Sequence, residues 1–185
     1  MSHIIILNGI GSAGKSSIAR AFQALCPAYL HVQIDAFLDM LPPFYEGHPD
    51  GLVFERSLTD GHPTITIRTG SLVATAMRAF RASIAAMATE GIDLIVDDVI
   101  FGPEWAEYDR LLAAHRVAKV GILCPLDILE AREAARGDRA IGLARGQWHR
   151  IDHSAPYDLT LDTSTLTPDQ AAARIVRHLS LESTP

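Results

Sequence analysis

His3-Ile-Ile-Ile-Leu-Asn8 runs directly into Gly9-Ile-Gly-Ser-Ala-Gly14-Lys15-Ser16, and the reading of this passage decides the fold. Its first half is a short apolar run, the form of a strand buried on both faces. Its second half fits the pattern of a glycine, four residues, then Gly-Lys-Ser. Such glycines let the backbone curl until successive N–H groups converge on phosphate oxygens, and the N-terminus of a following helix adds its partial positive charge. Gly9, Gly11, Ser12, Ala13, Gly14, Lys15, Ser16 and Ser17 then form a phosphate cradle. Lys15 would bridge the β- and γ-phosphates, and the Ser16 hydroxyl would ligate Mg²⁺. A chance glycine turn is the competing reading, but it needs neither the strand before nor the helix after.

Outward from the loop, strands and helices alternate. Lys15–Leu25 has helical periodicity and stops before Pro27. Tyr29–Ile34 reads as a second strand with a short helical segment from Ala36, and Thr69–Glu90 as a long helix. Ile92–Val99, Val117–Leu123 and Leu159–Leu161 read as strands, with helices at Glu104–His115 and Leu126–Arg136 between them. Thr167, Pro168 and Gln170 mark the start of the last helix as N-cap, first position and capping box. The alternation predicts an α/β fold with a five-stranded parallel sheet covered by helices on both faces. Residues 42–68 hold four of the ten prolines and three glycines, and read as an acceptor-side excursion with at most short strands. The expectation is one domain over residues 1–185, with a lid at about 132–155.

The composition narrows the class. With 185 residues, 48% apolar and 21% charged, the chain suits a globular domain rather than disorder. No apolar run approaches the ~18 residues of a spanning helix. The net charge of −6 argues against a nucleic-acid or anionic-membrane binder. Two cysteines, Cys26 and Cys124, read as free thiols of a reducing cytoplasm. Lys15 and Lys119 are the only lysines beside fourteen arginines, so Lys15 stands where a compact point charge is useful.

Further acidic and basic residues suggest chemistry around that charge. Leu94-Ile-Val-Asp97-Asp98 is an apolar strand ending in carboxylates, as a metal-holding segment of such a site should be. Side chains alternate across a strand, so the two cannot both face the phosphates; Asp97 directly ends the apolar run and is assigned to Mg²⁺, with Asp98 facing substrate or a structural partner. Asp35 closes the second strand, where parallel sheets collect ligand groups; it reads either as an acceptor for an alcohol proton or as the N-cap of the Ala36 helix. Arg132 and Arg136 share a helix face, and Arg139 lies beyond Gly137. They suit the spread charge of a transferring phosphoryl group, with a solvated helix end, Glu130 and Glu133 as partners, as the alternative. His149 and His153 near Asp152 make a weak metal pattern without a third ligand. Met40, Leu41, Phe44, Tyr45, Phe54, Phe101 and Trp105 could wall a pocket.

Ile4-Ile-Ile-Leu-Asn8-Gly9, Ser12-Ala-Gly-Lys-Ser16, Asp35, Val96-Asp-Asp-Val99, Ala135-Arg-Gly-Asp-Arg139, Tyr157-Asp-Leu159 and Asp162-Thr163 together resemble the chloramphenicol phosphotransferase-like family of P-loop kinases. The resemblance covers most of the chain and weakens over residues 42–68. It implies a nucleotide-kinase-like core, with ATP and Mg²⁺ as co-substrates and a small-molecule alcohol as acceptor. It carries the base role to Asp35, phosphate binding to Lys15 and Ser16, and the lid role to Arg136 and Arg139. By that resemblance the acceptor would be the primary hydroxyl of chloramphenicol or a related antibiotic. A shikimate- or gluconate-type kinase stays open through Arg56, Arg68, Arg78 and Arg81, as does a nucleotide-binding regulator that transfers nothing.

Overall fold

A computed structural model describes residues 1–137, 140–151 and 155–182. Strand β1 (His3–Asn8) is buried along its whole length because it is the middle strand of five. The elements that follow it are α1 (Lys15–Leu25), β2 (Leu30–Gln33), α2 (Ile34–Leu38), β3 (Leu52–Thr59), β4 (His62–Thr69) and α3 (Ser71–Thr89). After these come β5 (Leu94–Asp98), α4 (Pro103–Leu111), β6 (Arg116–Leu123), α5 (Leu126–Arg136), α6 (Leu143–Trp148), β7 (Leu159–Asp162) and α7 (Pro168–His178). The sheet order is β2-β5-β1-β6-β7, and every pairing in it is parallel.

Alternation along β1 divides the core between the two faces of the sheet. Ile5 and Leu7 pack with Ile18 and Phe22 of α1 and Ile175 of α7, while Ile4 and Ile6 pack with Phe80 and Ile84 of α3 and Tyr108 of α4. A continuous apolar run is the sequence form of a strand that must satisfy both faces. The last helix starts at the anticipated cap: Thr167 accepts from Gln170 N, and the Gln170 side chain accepts from Thr167 N.

The structure corrects three expectations. Residues 42–68 do not stay irregular; β3 and β4 form an antiparallel hairpin of eight residues per strand, and Thr69 belongs to it rather than to α3. The hairpin turns at Asp60-Gly61, both with positive φ (53° and 78°), the backbone that a two-residue primed turn demands. β2 ends at Gln33, two residues before Asp35. An additional short helix, α6, packs on β4, where Ile65 N donates to Gly142 O at 2.8 Å. Gly146 lies so close to the Ile65 carbonyl that no Cβ could stand there.

Candidate active site

The C-terminal ends of the parallel strands gather the polar groups, as open α/β sheets dictate. The loop from Gly9 to Gly14 leaves β1 and enters α1 through Gly14, whose φ of 95° suits glycine. Lys15, only 8% exposed, sends Nζ back over the loop to Ile10 O at 3.2 Å and lies 3.6 Å from Asp97 Oδ1. Ser16 Oγ donates to Asp97 Oδ2 at 2.6 Å and receives Gln33 Nε2 at 3.1 Å. The alignment is built by the sheet, because Gln33 and Leu7 both pair with Asp97 across neighbouring strands. Burial works to raise the Asp97 carboxyl, but Lys15, together with His31 and Ser16, outweighs it and holds it below the ordinary carboxylate value.

Asp98 faces the opposite way. Its Oδ1 accepts from Val99 N at 2.7 Å and its Oδ2 from the Tyr108 hydroxyl at 2.8 Å. Complete burial raises its carboxyl above the ordinary value. Of the two roles open to Asp98, this geometry serves the structural one. Tyr108→Phe should therefore destabilise the fold by roughly 1–3 kcal/mol, the cost of stripping a partner from a buried polar group. Urea unfolding would measure that loss, with nucleotide affinity unchanged.

The arginines lie on the other side of the loop. A cavity of about 390 Å³ is walled by Ser12, Ala13, Gly14 and Ser17 from the loop and α1, by Arg132, Ala135 and Arg136 from α5, and by Thr163 and Leu166 after β7. Thr163 Oγ1 donates to Ala13 O at 2.9 Å, and Arg132 donates to Thr163 O at 2.7 Å, so the strand end, the loop and the helix are fastened together. The solvated-end alternative fails for the acidic residues of α5. Glu130 pairs with Arg145 at 2.7 Å, and buried Glu133 accepts from Gly142 N and Ala144 N at the start of α6. Arg139 and His153 lie outside the described residues; His149 is exposed at the end of α6.

Asp35 is half-buried and is the second residue of α2, whose N-cap is Gln33, so the capping role is not its own. It stands two residues after Gln33, which donates to Ser16 Oγ. Among the anticipated pocket walls, Met40 and Phe44 are exposed, whereas Trp105 belongs to the core beside Tyr108 and Tyr157. Phe101 carries the Arg150 guanidinium 4.2 Å over its ring, and Arg150 also donates to Ile67 O of β4. The residues that sequence reasoning passed over are Gln33, His31, Asn8, Gln147 and Arg150. Asn8 closes the end of β1 by exchanging hydrogen bonds with Ile100 and donating to the Tyr157 hydroxyl. A polar residue ending an all-apolar strand was the available sign for Asn8; the other four acquire meaning only from long-range contacts.

Residues 2–180 match the family described as chloramphenicol phosphotransferase-like protein. The chain belongs to that family. A protein of Mycobacterium tuberculosis, Rv2636, provisionally named as an O-phosphotransferase, is 35% identical over 189 residues, covering 98% of this chain and 83% of its own. Among solved structures, the tunicamycin resistance protein of Deinococcus radiodurans shares the fold with a TM-score of 0.67 at 17% identity, covering 100% of this chain and 99% of that one. The Mycobacterium tuberculosis APS kinase CysC, in complex with AMPPNP and APS, does so with a TM-score of 0.65 at 15% identity, covering 97% and 98%. The chain is thus a small-molecule kinase of the phosphotransferase type, built on the P-loop kinase fold. No helix among the described residues is long and apolar enough to cross a membrane.

Proposed function

We propose that the protein transfers the γ-phosphoryl group of ATP to a hydroxyl of a small, largely apolar alcohol, with chloramphenicol or a related antibiotic as the first acceptor to try. The observation that supports this reading is the contact of Gln33 with Ser16, because Gln33 is the N-cap of α2 and Asp35 follows it by two residues. Asp35 would accept the hydroxyl proton and aim the oxygen at phosphorus; a carboxylate is a weak base toward an alcohol, so its worth lies in positioning. Lys15 and the loop amides would hold the phosphates, and Arg132 and Arg136 would face the nucleotide from α5.

Mg²⁺ suits the donors at hand, since it prefers hard oxygens and takes one or two protein ligands beside substrate phosphates. Ser16 Oγ and Asp97, already hydrogen-bonded to one another, would hold it. Bound there, it would draw charge from the phosphate oxygens. The expected compartment for such chemistry is the cytoplasm, where ATP is abundant.

The apolar acceptor is favoured over a sugar acid by four arginines. Buried Arg81 is paired with Glu107, Arg68 with Glu55, Arg78 with Thr75 of its own helix, and Arg56 is exposed on the hairpin. Arg150 is the observation that supports the second reading, a shikimate- or gluconate-type kinase, because it sets a guanidinium between Phe101 and the hairpin. Incubation with ATP, Mg²⁺ and a panel holding chloramphenicol, neutral diols, shikimate and gluconate, read by mass spectrometry, separates the two. One added phosphate on the primary hydroxyl of chloramphenicol is expected. Transfer to an acid alone would replace the first reading with the second, and consumption of ATP with no acceptor modified would remove both.

A further inference from the structure

The Gly11 amide, inside the phosphate loop, donates to Gln147 Oε1 at 2.6 Å. Gln147 comes from α6, 136 residues away, and is only 9% exposed. Neither residue lines the cavity beside Arg132 and Arg136, so this bond holds a part of the loop outside that cavity. The helix that carries Gln147 is itself held at both ends of its reach. Glu133 of α5 fixes its start through Gly142 N and Ala144 N, and Gly146 presses its backbone against Ile65 of the hairpin. Through α6, the phosphate loop is tied to the arginine helix and to β4.

We infer that Gln147 is a positioning residue of the phosphate loop: it sets the Gly11 amide according to the seat of α6 on the hairpin. A carboxamide is the apt group. It accepts from a buried amide, which must find a partner, yet brings no negative charge to the place where phosphates gather. The next residue, Ser12, keeps a φ of 64°, a left-handed backbone that a non-glycine residue holds only when its surroundings impose it. Holding Gly11 in place supplies part of that constraint before any nucleotide arrives, which is the advantage of a preorganised cradle. The inference rests on the reading of Gly9–Ser16 as a phosphate cradle and is independent of the acceptor.

Hydrogen exchange at the Gly11 amide in the nucleotide-free protein, followed by titration with AMPPNP and Mg²⁺, tests it in Gln147→Met and Gln147→Glu. Methionine keeps the volume and cannot accept well, so Gly11 should exchange faster while the β1 amides stay protected. AMPPNP should then bind roughly tenfold more weakly, the value of one hydrogen bond in such a loop. Glutamate should keep Gly11 protected yet weaken AMPPNP further than methionine does, by charge repulsion. If the methionine variant fails to fold, the glutamate variant decides: fast exchange at Gly11 overturns the inference, and slow exchange with weakened AMPPNP supports it. Wild-type affinity in a folded methionine variant also overturns it while the cradle stands. If the wild-type protein itself binds no AMPPNP, the cradle reading falls first and the inference with it.

Discussion

Lys15→Ala is expected to abolish measurable phosphoryl transfer while the far-UV circular dichroism stays native. The ammonium is nearly buried, reaches over the loop to Ile10 O, and lies 3.6 Å from Asp97. It is therefore positioned where negative charge must gather as the phosphoryl group moves. A preorganised cation in a water-poor site stabilises that charge far more than it would in bulk solvent. Losing it should lower kcat/KM by ~10³-fold or more, with much of the loss in kcat. Asp97 would also lose the cation that holds its carboxyl down. Helix α1 should survive, because Ile18, Ala19 and Phe22 bury its apolar face independently of Lys15. A variant with near-normal kcat would overturn the assignment of the loop.

Asp35→Asn should separate chemistry from nucleotide binding. Asn keeps the size of the side chain and forfeits its negative charge, so the incoming hydroxyl loses its proton acceptor. The expected result is a fall in kcat of roughly 10²-fold or more with the KM for ATP little changed, measured by a coupled assay once an acceptor is in hand. The fold should tolerate the change. Asp35 lies inside the first turn of a five-residue helix and does not cap it, so the loss of a charge near the N-terminus costs only about 0.3–1 kcal/mol. Unchanged kcat would leave Asp35 with that structural role alone. Arg136→Ala offers no such clean separation, because Arg136 and Arg132 share one cavity wall and their effects need not add.

Much of the architecture is written in local patterns. The apolar His3–Asn8 run, the glycine turn and the periodic helix after it belong together in any chain that buries them, and their succession prescribes a parallel sheet with its ligand edge at Gly9. The capping box at Thr167 is local in the same sense. The Asp60-Gly61 turn is equally local, but the prolines at 42, 43, 49 and 63 point to irregular chain and mask it. Pro63 sits near the hairpin's turn, and the bulky alternation of Thr64 to Ile67 carries the strand. A two-residue turn outweighed a composition bias.

The site itself divides differently. Residue types at the motif, Lys15, Ser16 and Asp97, follow from the chemistry of phosphate and can be read along the chain. Which aspartate turns toward the loop, what grips Ser16, and what α6 touches are decided by register and packing. Asp97 and Asp98 are neighbours in sequence, yet the strand's alternation sends one to Lys15 and the other to Tyr108. Gln33 and Gln147 reach the loop across 17 and 136 residues, through side chains that no motif distinguishes from solvent-exposed glutamines. Hydrogen bonds of that kind are short in space and arbitrary in sequence, so local preferences could specify the cradle, while the groups that brace it against the hairpin and α5 had to wait for the folded sheet to bring them together.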